Sequence, residues 1–288
     1  MDFSSAEFRS RMSQICVAPH RLRLDTRGVQ PTVSMLRGVW GAALHELDAD
    51  VYGRVFAGES RAAQGQPPGY VLRPTLRDAG CGSEVEWILL GDAVRHASVL
   101  YRAWEAAAER GLGPARRRFE IRQVAGLTPE ETAVEAPAAW ALDQAHWPLP
   151  DAPQRTPCRL FFPGPLRLIR DDQLVLQPTL TDIIVAACRR LRSFLPWDAQ
   201  RDWTQVAGAA TDFSRQVPQT GWTGRRLDLQ RYSARQDRDL RLHGIAGWLD
   251  LPQGPAELWP LLAVIPWLHV GKGTVFGLGR LRIWALPS

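Results

Sequence analysis

Ser83-Glu-Val-Glu-Trp-Ile-Leu-Leu90 begins the stretch that decides the fold. This run predicts a strand, residues 96–110 place apolar side chains near helical spacing, and residues 118–124 alternate with period two, as a second strand does. A Gly-Leu-Gly turn at 111–113 separates the helix from the second strand. The stretch therefore predicts a strand, a helix, a Gly-x-Gly turn and a strand in that order.

The same order recurs near the end of the chain. Residues 240–249 predict a strand and residues 256–268 a helix, and a glycine-rich loop then leads to a strand at 279–284. This recurrence indicates an approximate internal repeat.

The start of each half completes the repeat. In the first half a strand is predicted at 15–24, followed by a helix at 32–47 that Thr32 or Ser34 caps. In the second half the predicted elements are strands at 159–162, 166–169 and 174–176 and a helix at 181–195. These elements together predict two βαββαβ units, each an antiparallel four-stranded sheet backed by two helices.

The predicted fold class is therefore α+β, with tandem ferredoxin-like (RRM-like) domains. The N-terminal domain is expected at 1–125 and the C-terminal domain at 158–288, joined by an acidic linker rich in Pro and Ala at 126–157. The C-terminal domain is expected to carry an arginine-rich helical insertion and the glycine-rich loop. Aromatic motifs that stack bases on RNA-recognition sheets are not found in the sequence.

Charge is unevenly distributed along the chain. The net charge is +5, yet residues 123–154 contain no Lys or Arg and five acidic side chains. Basic domains beside an acidic connector favour a polyanionic partner, although a GC-rich genome also raises the arginine content. The sequence has no cluster of carboxylates of the kind that forms a two-metal site, so we expect no metal or cofactor.

The glycine-rich loop holds the only lysine among 35 basic side chains, in His269-Val-Gly-Lys-Gly-Thr-Val-Phe-Gly-Leu-Gly-Arg280. Glycines allow backbone amides to approach an anion closely, so the pattern predicts a phosphate-binding loop. The glycines in question are Gly271, Gly273, Gly277 and Gly279. A nucleotide-binding P-loop is excluded because Gly273 separates Lys272 from Thr274. Alternatively, the glycines only form a tight connection and Lys272 is solvated.

Several features favour a cytoplasmic protein. The four cysteines (Cys16, Cys81, Cys158, Cys188) have no metal-site spacing and are expected to be reduced core residues. Residues 1–9 lack the apolar region of a secretory signal. The longest apolar stretch, 258–270, is too short to span a bilayer.

An ordered set of motifs resembles the CRISPR-associated repeat-processing endoribonucleases of the RAMP superfamily. The most specific block runs from Gly244-Ile-Ala-Gly-Trp-Leu through Leu258-Trp-Pro-Leu-Leu to His269–Leu281. Further matches are Arg231-Tyr-Ser-Ala-Arg-Gln236, Leu36-Arg-Gly-Val-Trp-Gly-Ala-Ala-Leu-His45, Leu90-Gly-Asp-Ala and Gly111-Leu-Gly-Pro-Ala-Arg116.

The resemblance implies an endoribonuclease that cuts the repeat of a CRISPR precursor RNA at the base of its hairpin. Cleavage would need no metal and would use the RNA's own 2′-OH, giving 2′,3′-cyclic phosphate and 5′-OH ends. The family also implies that the protein stays bound to the mature crRNA and associates with other effector-complex subunits. Membership of the branch tied to type IV systems is one interpretation.

Catalysis of this kind requires a base for the 2′-OH, an acid for the leaving oxygen and positive charge at the phosphate. The resemblance implies His45 as a catalytic residue, because many family members carry a histidine at that place on the first helix. His20, His243 and His269 are the alternatives, while His96 and His146 are expected to be peripheral. A structural histidine on a helix face remains the other interpretation of His45.

Arginines are the candidates for the positive charge, since their guanidinium group fits phosphate oxygens. Arg23, Arg37 and Arg241 are predicted to contribute to catalysis, with Arg21 on the same strand face as Arg23. The alternative is that these side chains are solvated or paired with carboxylates such as Asp25 and Glu46.

Further basic residues are predicted to bind RNA together with Lys272 and the four loop glycines. They are Arg189, Arg190, Arg192, Arg225, Arg226 and Arg231.

The competing function is a non-catalytic crRNA-binding subunit of a CRISPR effector complex. A general RNA-binding protein unrelated to CRISPR has little support from the motifs.

Overall fold

The structure is a computed structural model that describes residues 4–57, 67–75, 83–136, 138–149, 153–233 and 238–286. Side chains at 57, 74–75, 229–233 and 238–242 lie outside this description. The chain forms two compact units. The N-terminal unit comprises Cys16–Trp140 with Val275–Gly277, and the C-terminal unit comprises Met1–Ile15, Ala141–Thr274 and Leu278–Ser288.

The N-terminal unit is built on an antiparallel sheet in the order β2-β3-β1-β4, with two short strands added. The strands are β1 (Cys16–Asp25), β2 (Tyr70–Thr75), β3 (Ser83–Leu90), β4 (Glu120–Leu127), β5 (Ala133–Val134) and β6 (Trp140–Ala141). This order, with a helix after β1 and another after β3, is the βαββαβ arrangement predicted from the sequence.

Two helices cover one face of that sheet. They are α2 (Val33–Leu47), which Thr32 caps by accepting from Met35 N–H, and α4 (Ala97–Arg110). After α2 a single turn, α3 (Ala49–Val51), continues into a π-helix at Tyr52–Ala57. Trp40 of α2 stacks on Trp104 of α4 with ring centroids 5.2 Å apart, and both rings are fully buried. Burial of such large rings is a major source of stability.

The other face of the sheet carries buried charges. Arg21 and Arg73 both contact Glu86, whose strand β3 lies between β1 and β2. Arg73 and Glu86 are 3% and 1% exposed. Beside them Arg23 pairs with Glu84. We call these five residues the arginine–glutamate ladder. Successive side chains of a strand point to opposite faces of the sheet. The residues next to each member of the ladder point to the core, so the ladder residues share the other face.

The C-terminal unit repeats the topology. Its sheet has the order β10-β11-β7-β12 and is antiparallel throughout. The strands are β7 (Cys158–Leu166), β10 (Thr223–Ser233), β11 (Arg238–Leu251) and β12 (Arg282–Ala285), while β8 (Ile169–Arg170) and β9 (Gln173–Leu174) form a separate hairpin. The predicted tandem ferredoxin-like fold is thereby confirmed.

Three helices belong to this unit besides the first helix of the chain. They are α5 (Leu180–Arg192), which begins with a capping box between Thr179 and Asp182, α6 (Trp203–Ser214) and α7 (Trp259–Leu268). The first helix, α1 (Ser5–Met12), also packs in this unit, with Phe8 edge-on to Trp203 at 5.4 Å. Residues 4–15, which the sequence analysis grouped with the first domain, are thus part of the C-terminal unit.

Smaller features also differ from the sequence expectations. The segment predicted as a linker contains β5, β6 and a 3-10 turn at Leu142–Gln144.

Cys158 and Cys188 are buried, and burial raises the pKa of each thiol to about 12. Cys16 is exposed, so its predicted core position is wrong, and Cys81 lies outside the described residues. No helix of the described ranges has both the length and the apolar character to cross a bilayer.

Candidate catalytic residues and RNA interface

His45 lies in the last turn of α2 and is exposed. Its ring is edge-on to Tyr52, with centroids 4.9 Å apart. Tyr52 is the first residue of the π-helix, an uncommon element that is frequent at functional sites. The imidazole is therefore open to a substrate and supported on one side by an aromatic ring. Both properties suit a residue that exchanges protons with a substrate.

Arg37 lies near the start of the same helix. Its Nε donates to Tyr70 Oη at 2.7 Å, and its guanidinium lies over the rings of Phe56 and Phe276 at 4.3 and 5.2 Å. These contacts fix the side chain while the bond at Nε leaves the terminal nitrogens for another ligand. With a rise of about 1.5 Å per residue, Arg37 and His45 are about 12 Å apart along the helix axis. They would therefore contact different parts of a bound RNA.

The other two predicted catalytic arginines are not brought to His45 by any described contact. Arg23 is half-exposed and its Nε lies 3.3 Å from Glu84, within the arginine–glutamate ladder. Its charge is therefore largely balanced, but by Glu84 and not by the Asp25 or Glu46 that the sequence suggested. Arg241 lies on β11, and its side chain is outside the described residues.

Two of the alternative histidines are buried. His20 faces the core, its Nδ1 lies 3.3 Å from Trp87 O, and desolvation lowers its pKa. His269 is fully buried, with Nδ1 3.0 Å from Leu278 O. Both therefore serve packing, because a buried ring has no access to a substrate.

His243 is the exception among the alternatives. Its Nδ1 lies 2.6 Å from Asp228 Oδ1, and its side chain is 38% exposed. The hydrogen bond with His243 holds the pKa of the Asp228 carboxyl below its usual value, and the charge of Arg226 adds to this effect. An ionised carboxylate can only accept, so His243 donates from Nδ1 and the neutral ring keeps Nε2 as an acceptor.

This arrangement is one that can serve a general base, since a carboxylate orients the imidazole and stabilises its protonated form. Sequence reasoning missed the pairing because Asp228 and His243 are 15 residues apart and meet only through the register of β10 with β11. We call Arg226, Asp228 and His243 the hairpin cluster.

The four loop glycines all have positive φ, between 75° and 86°. A Cβ atom at Gly279 would lie 1.8 Å from Val270 O, and one at Gly271 would lie 2.5 Å from Arg167 O. At Gly277 and Gly273 the nearest atoms, Leu72 O and Leu278 Cδ1, would each be 2.8 Å away. The positive φ therefore favours glycine at all four positions, and nearby backbone oxygens also require it at Gly271, Gly277 and Gly279.

Several amides of the loop already donate to acceptors within the protein. Lys272 N–H donates to Arg167 O at 2.8 Å and Gly279 N–H donates to Pro165 O at 3.0 Å, so neither is available to an anion. The Lys272 side chain is exposed and forms no ion pair with any residue of the described ranges. The Lys272 ammonium is therefore one contact that this loop can offer to a phosphate, and the loop glycines stay predictions for the same role.

The remaining basic residues predicted to bind RNA differ in accessibility. Arg189 and Arg192 are exposed on α5, and Arg225 is exposed on β10. Arg190 is 5% exposed, donates to Leu268 O and lies over the Phe194 ring, so we assign it to packing and remove it from the RNA-binding set. The Arg231 side chain lies outside the described residues.

Each half of the chain matches one family model. Residues 160–281 match the family model described as CRISPR-associated endoribonuclease Cas6. Residues 17–144 match a second model, AF_1859_N, described as an N-terminal domain. Among curated proteins none matches the chain.

Solved structures share the fold over nearly the whole chain. A Cas6 product complex has 16% identity and a TM-score of 0.62, covering 93% of this chain and 99% of the other. Thermus thermophilus Cas6 has 14% identity and a TM-score of 0.57, covering 94% and 99%. A partial Cas6-RT-Cas1–Cas2 complex has 11% identity and a TM-score of 0.54, covering 94% of this chain and 46% of that one.

At these identities the structural likeness is one of fold, and the family assignment comes from the sequence match. The two comparisons agree: residues 160–281 match the Cas6 family of CRISPR-associated endoribonucleases, and the chain as a whole has the fold of solved Cas6 proteins.

Proposed function

We propose that this protein is a metal-independent endoribonuclease that cleaves CRISPR precursor RNA within the repeat, at the base of its hairpin, and stays bound to the mature crRNA. The match of residues 160–281 to the Cas6 endoribonuclease family is the observation that carries this proposal. Solved relatives of the same fold are a Cas6 product complex and a Cas6 assembly with Cas1 and Cas2. We therefore propose CRISPR repeat RNA, and other CRISPR proteins, as its partners.

The reaction we propose is a transfer within the RNA. A base removes the proton from the 2′-OH, the 2′-oxygen bonds to the adjacent phosphorus, and the bond from phosphorus to the 5′-oxygen breaks. An acid gives a proton to that oxygen, which leaves a 5′-OH end and a 2′,3′-cyclic phosphate. We assign proton transfer to His45, because it is exposed and lies beside Tyr52.

Positive charge near the phosphate would stabilise the pentacoordinate intermediate. Arg37 is about 12 Å from His45 along the axis of α2, so we assign it to a neighbouring phosphate of the RNA backbone, where Tyr70 and two phenylalanine rings hold its guanidinium in place. Arg23 and Arg241 stay predictions for the charge at the phosphate that is cleaved. The hairpin cluster supplies a second candidate for the catalytic base, because Asp228 orients His243.

Removal of divalent cations tests the proposal directly. With labelled repeat RNA in excess EDTA, we expect one cut at the 3′ base of the hairpin, because the nucleophile is the RNA's own 2′-OH. The product should resist 3′-end ligation until a phosphatase that opens cyclic phosphates has acted. Binding without cleavage would contradict the enzyme and favour the non-catalytic crRNA-binding subunit.

Lys272→Ala is expected to weaken hairpin binding by removing one phosphate contact. The slope of log K against log salt concentration should then become shallower by about 0.7–0.9, the amount that one neutralised phosphate contributes. Titrations at four or more salt concentrations measure this slope. Lys272→Arg keeps the charge and is the matched control. An unchanged slope in Lys272→Ala would mean that the ammonium is only solvated.

A further inference from the structure

The face of the C-terminal sheet opposite its helices carries aromatic and charged side chains. On β7 the side chains of Cys158, Leu160 and Phe162 are fully buried, so the residues between them point the other way. These are Arg159 and Phe161, and they share this outer face with their strand partners on β11 and β12.

Register places these side chains in a regular pattern. Phe161 pairs with Trp248 on one side and Arg282 on the other. Arg159, two residues earlier, pairs with Asp250 and Trp284. On β7 and β12 rings and arginines therefore alternate both along each strand and across the pair, while Trp248 of β11 lies beside Phe161. We call the five residues Arg159, Phe161, Trp248, Arg282 and Trp284 the aromatic grid.

The members of the aromatic grid also contact one another. The rings of Phe161 and Trp284 lie 4.6 Å apart with a 31° angle between their planes. The Arg159 guanidinium lies 4.8 Å from the Trp248 ring centroid and donates to both carboxylate oxygens of Asp250, at 2.7 and 2.9 Å. The pair of Arg159 with Asp250 raises the arginine pKa, so this charge is permanent and balanced.

The open part of the aromatic grid is at β12, the edge strand. Trp284 is 46% exposed, and Arg282 is exposed and forms no ion pair with any residue in the described ranges. A ring with a free face beside an unbalanced guanidinium matches a nucleotide, whose base stacks on the ring while its phosphate meets the cation.

Charge also argues against a protein partner. A stable protein interface buries roughly 1,200–2,000 Å² and has an apolar core depleted of charge. Here Phe161 pairs with Arg282, Trp284 pairs with Arg159, and the Arg159 guanidinium lies over the Trp248 ring, which breaks up any apolar patch. On the adjacent β10, Arg225 is exposed and extends the positive charge across the sheet.

We propose that the aromatic grid binds single-stranded RNA next to the repeat hairpin, with one unpaired base stacked on Trp284 and its phosphate on Arg282. This inference rests on the proposed function for the identity of the RNA. It adds a binding surface for an unpaired segment, separate from His45 and from the glycine-rich loop. Stacking of this kind tolerates any base, because every base has a π-face.

Two RNAs test the proposal, the repeat hairpin alone and the hairpin with a single-stranded flank that carries 2-aminopurine. For the native protein we expect the flank to tighten binding and the 2-aminopurine fluorescence to be quenched by stacking. We compare the dissociation constant for the hairpin alone, divided by that for the flanked hairpin. In Trp284→Ala this ratio should fall by about tenfold, which is the loss expected when one base no longer stacks on an aromatic ring. Trp284→Phe, which keeps a ring, should retain most of the ratio.

Trp197→Ala is the matched control, because Trp197 is 87% exposed in the same unit and lies outside the aromatic grid. This variant should keep both the ratio and the quenching. An unchanged ratio in Trp284→Ala, or a fluorescence that the native protein does not quench, would overturn the proposal. So would a native dimer that Trp284→Ala dissociates, since the face would then bind a second copy.

Failure of the proposed function gives a different result. If the native protein binds the flanked RNA with quenching but never cuts it, the aromatic grid is supported and the endoribonuclease is not. If it cuts the hairpin but gains nothing from the flank, the endoribonuclease is supported and the aromatic grid is refuted.

Discussion

Replacing His45 with alanine is expected to slow repeat cleavage by about 100-fold or more while hairpin affinity changes little. The imidazole is exposed at the end of α2, so its loss removes a proton-transfer group without removing core packing. General acid–base catalysis typically contributes about 100- to 10,000-fold to a rate. Single-turnover cleavage with protein in excess measures the chemical step, and a filter-binding titration measures affinity.

His146→Ala is the control for His45→Ala, because His146 is also exposed and was expected to be peripheral. Its cleavage rate should match the native protein. If His45→Ala stays within threefold of the native rate, the assignment of proton transfer to His45 is refuted. His243→Ala then becomes the decisive variant, since Asp228 orients that ring. A large loss in His243→Ala together with Asp228→Asn would assign the base to the hairpin cluster.

Glu86→Ala should lower the free energy of unfolding by about 3–5 kcal/mol, which is the loss found when one partner of a buried ion pair is removed. Glu86 contacts both Arg21 and Arg73, and its side chain is 2% exposed. Without the carboxylate, the buried charge of Arg73 loses its closest counter-charge. Urea unfolding at 25 °C, followed by tryptophan fluorescence, measures the change.

Glu109→Ala is the matched control for Glu86→Ala. Glu109 pairs with Arg118, and the two side chains are 74% and 69% exposed. An exposed pair contributes about 1 kcal/mol or less, so this variant should unfold almost as the native protein does. Equal losses in the two variants would mean that burial of the arginine–glutamate ladder has no special effect on stability.

Local patterns were sufficient to predict the fold. The apolar run within Ser83–Leu90, the Thr32 cap of α2 and the helical spacing of Ala97–Arg110 each became the predicted element. Their recurrence in the second half then specified two βαββαβ units. Such signals are short-range, because a strand or a helix is determined mainly by residues within a few positions of one another.

Elements that depend on distant partners escaped prediction. β2 was missed because Arg73 interrupts the apolar pattern, and its burial makes sense only with Glu86 of the next strand. The aromatic grid escaped for the same reason, since Phe161, Trp248 and Trp284 meet only through strand register. The tight turns at the loop glycines could be predicted from the residue type, but the amide acceptors Pro165 and Arg167 could not.

The order in which a ribosome makes this chain does not follow the order in which the chain folds. α1 is synthesised first, yet Phe8 needs Trp203, and Ser5 bonds to Glu257. The N-terminal unit in turn receives Val275–Gly277 from the far end of the chain. During translation α1 must therefore wait, without its apolar partners, for about 200 residues to emerge. Dividing the chain at the linker, residues 126–157, would thus leave two fragments, each lacking part of its own core.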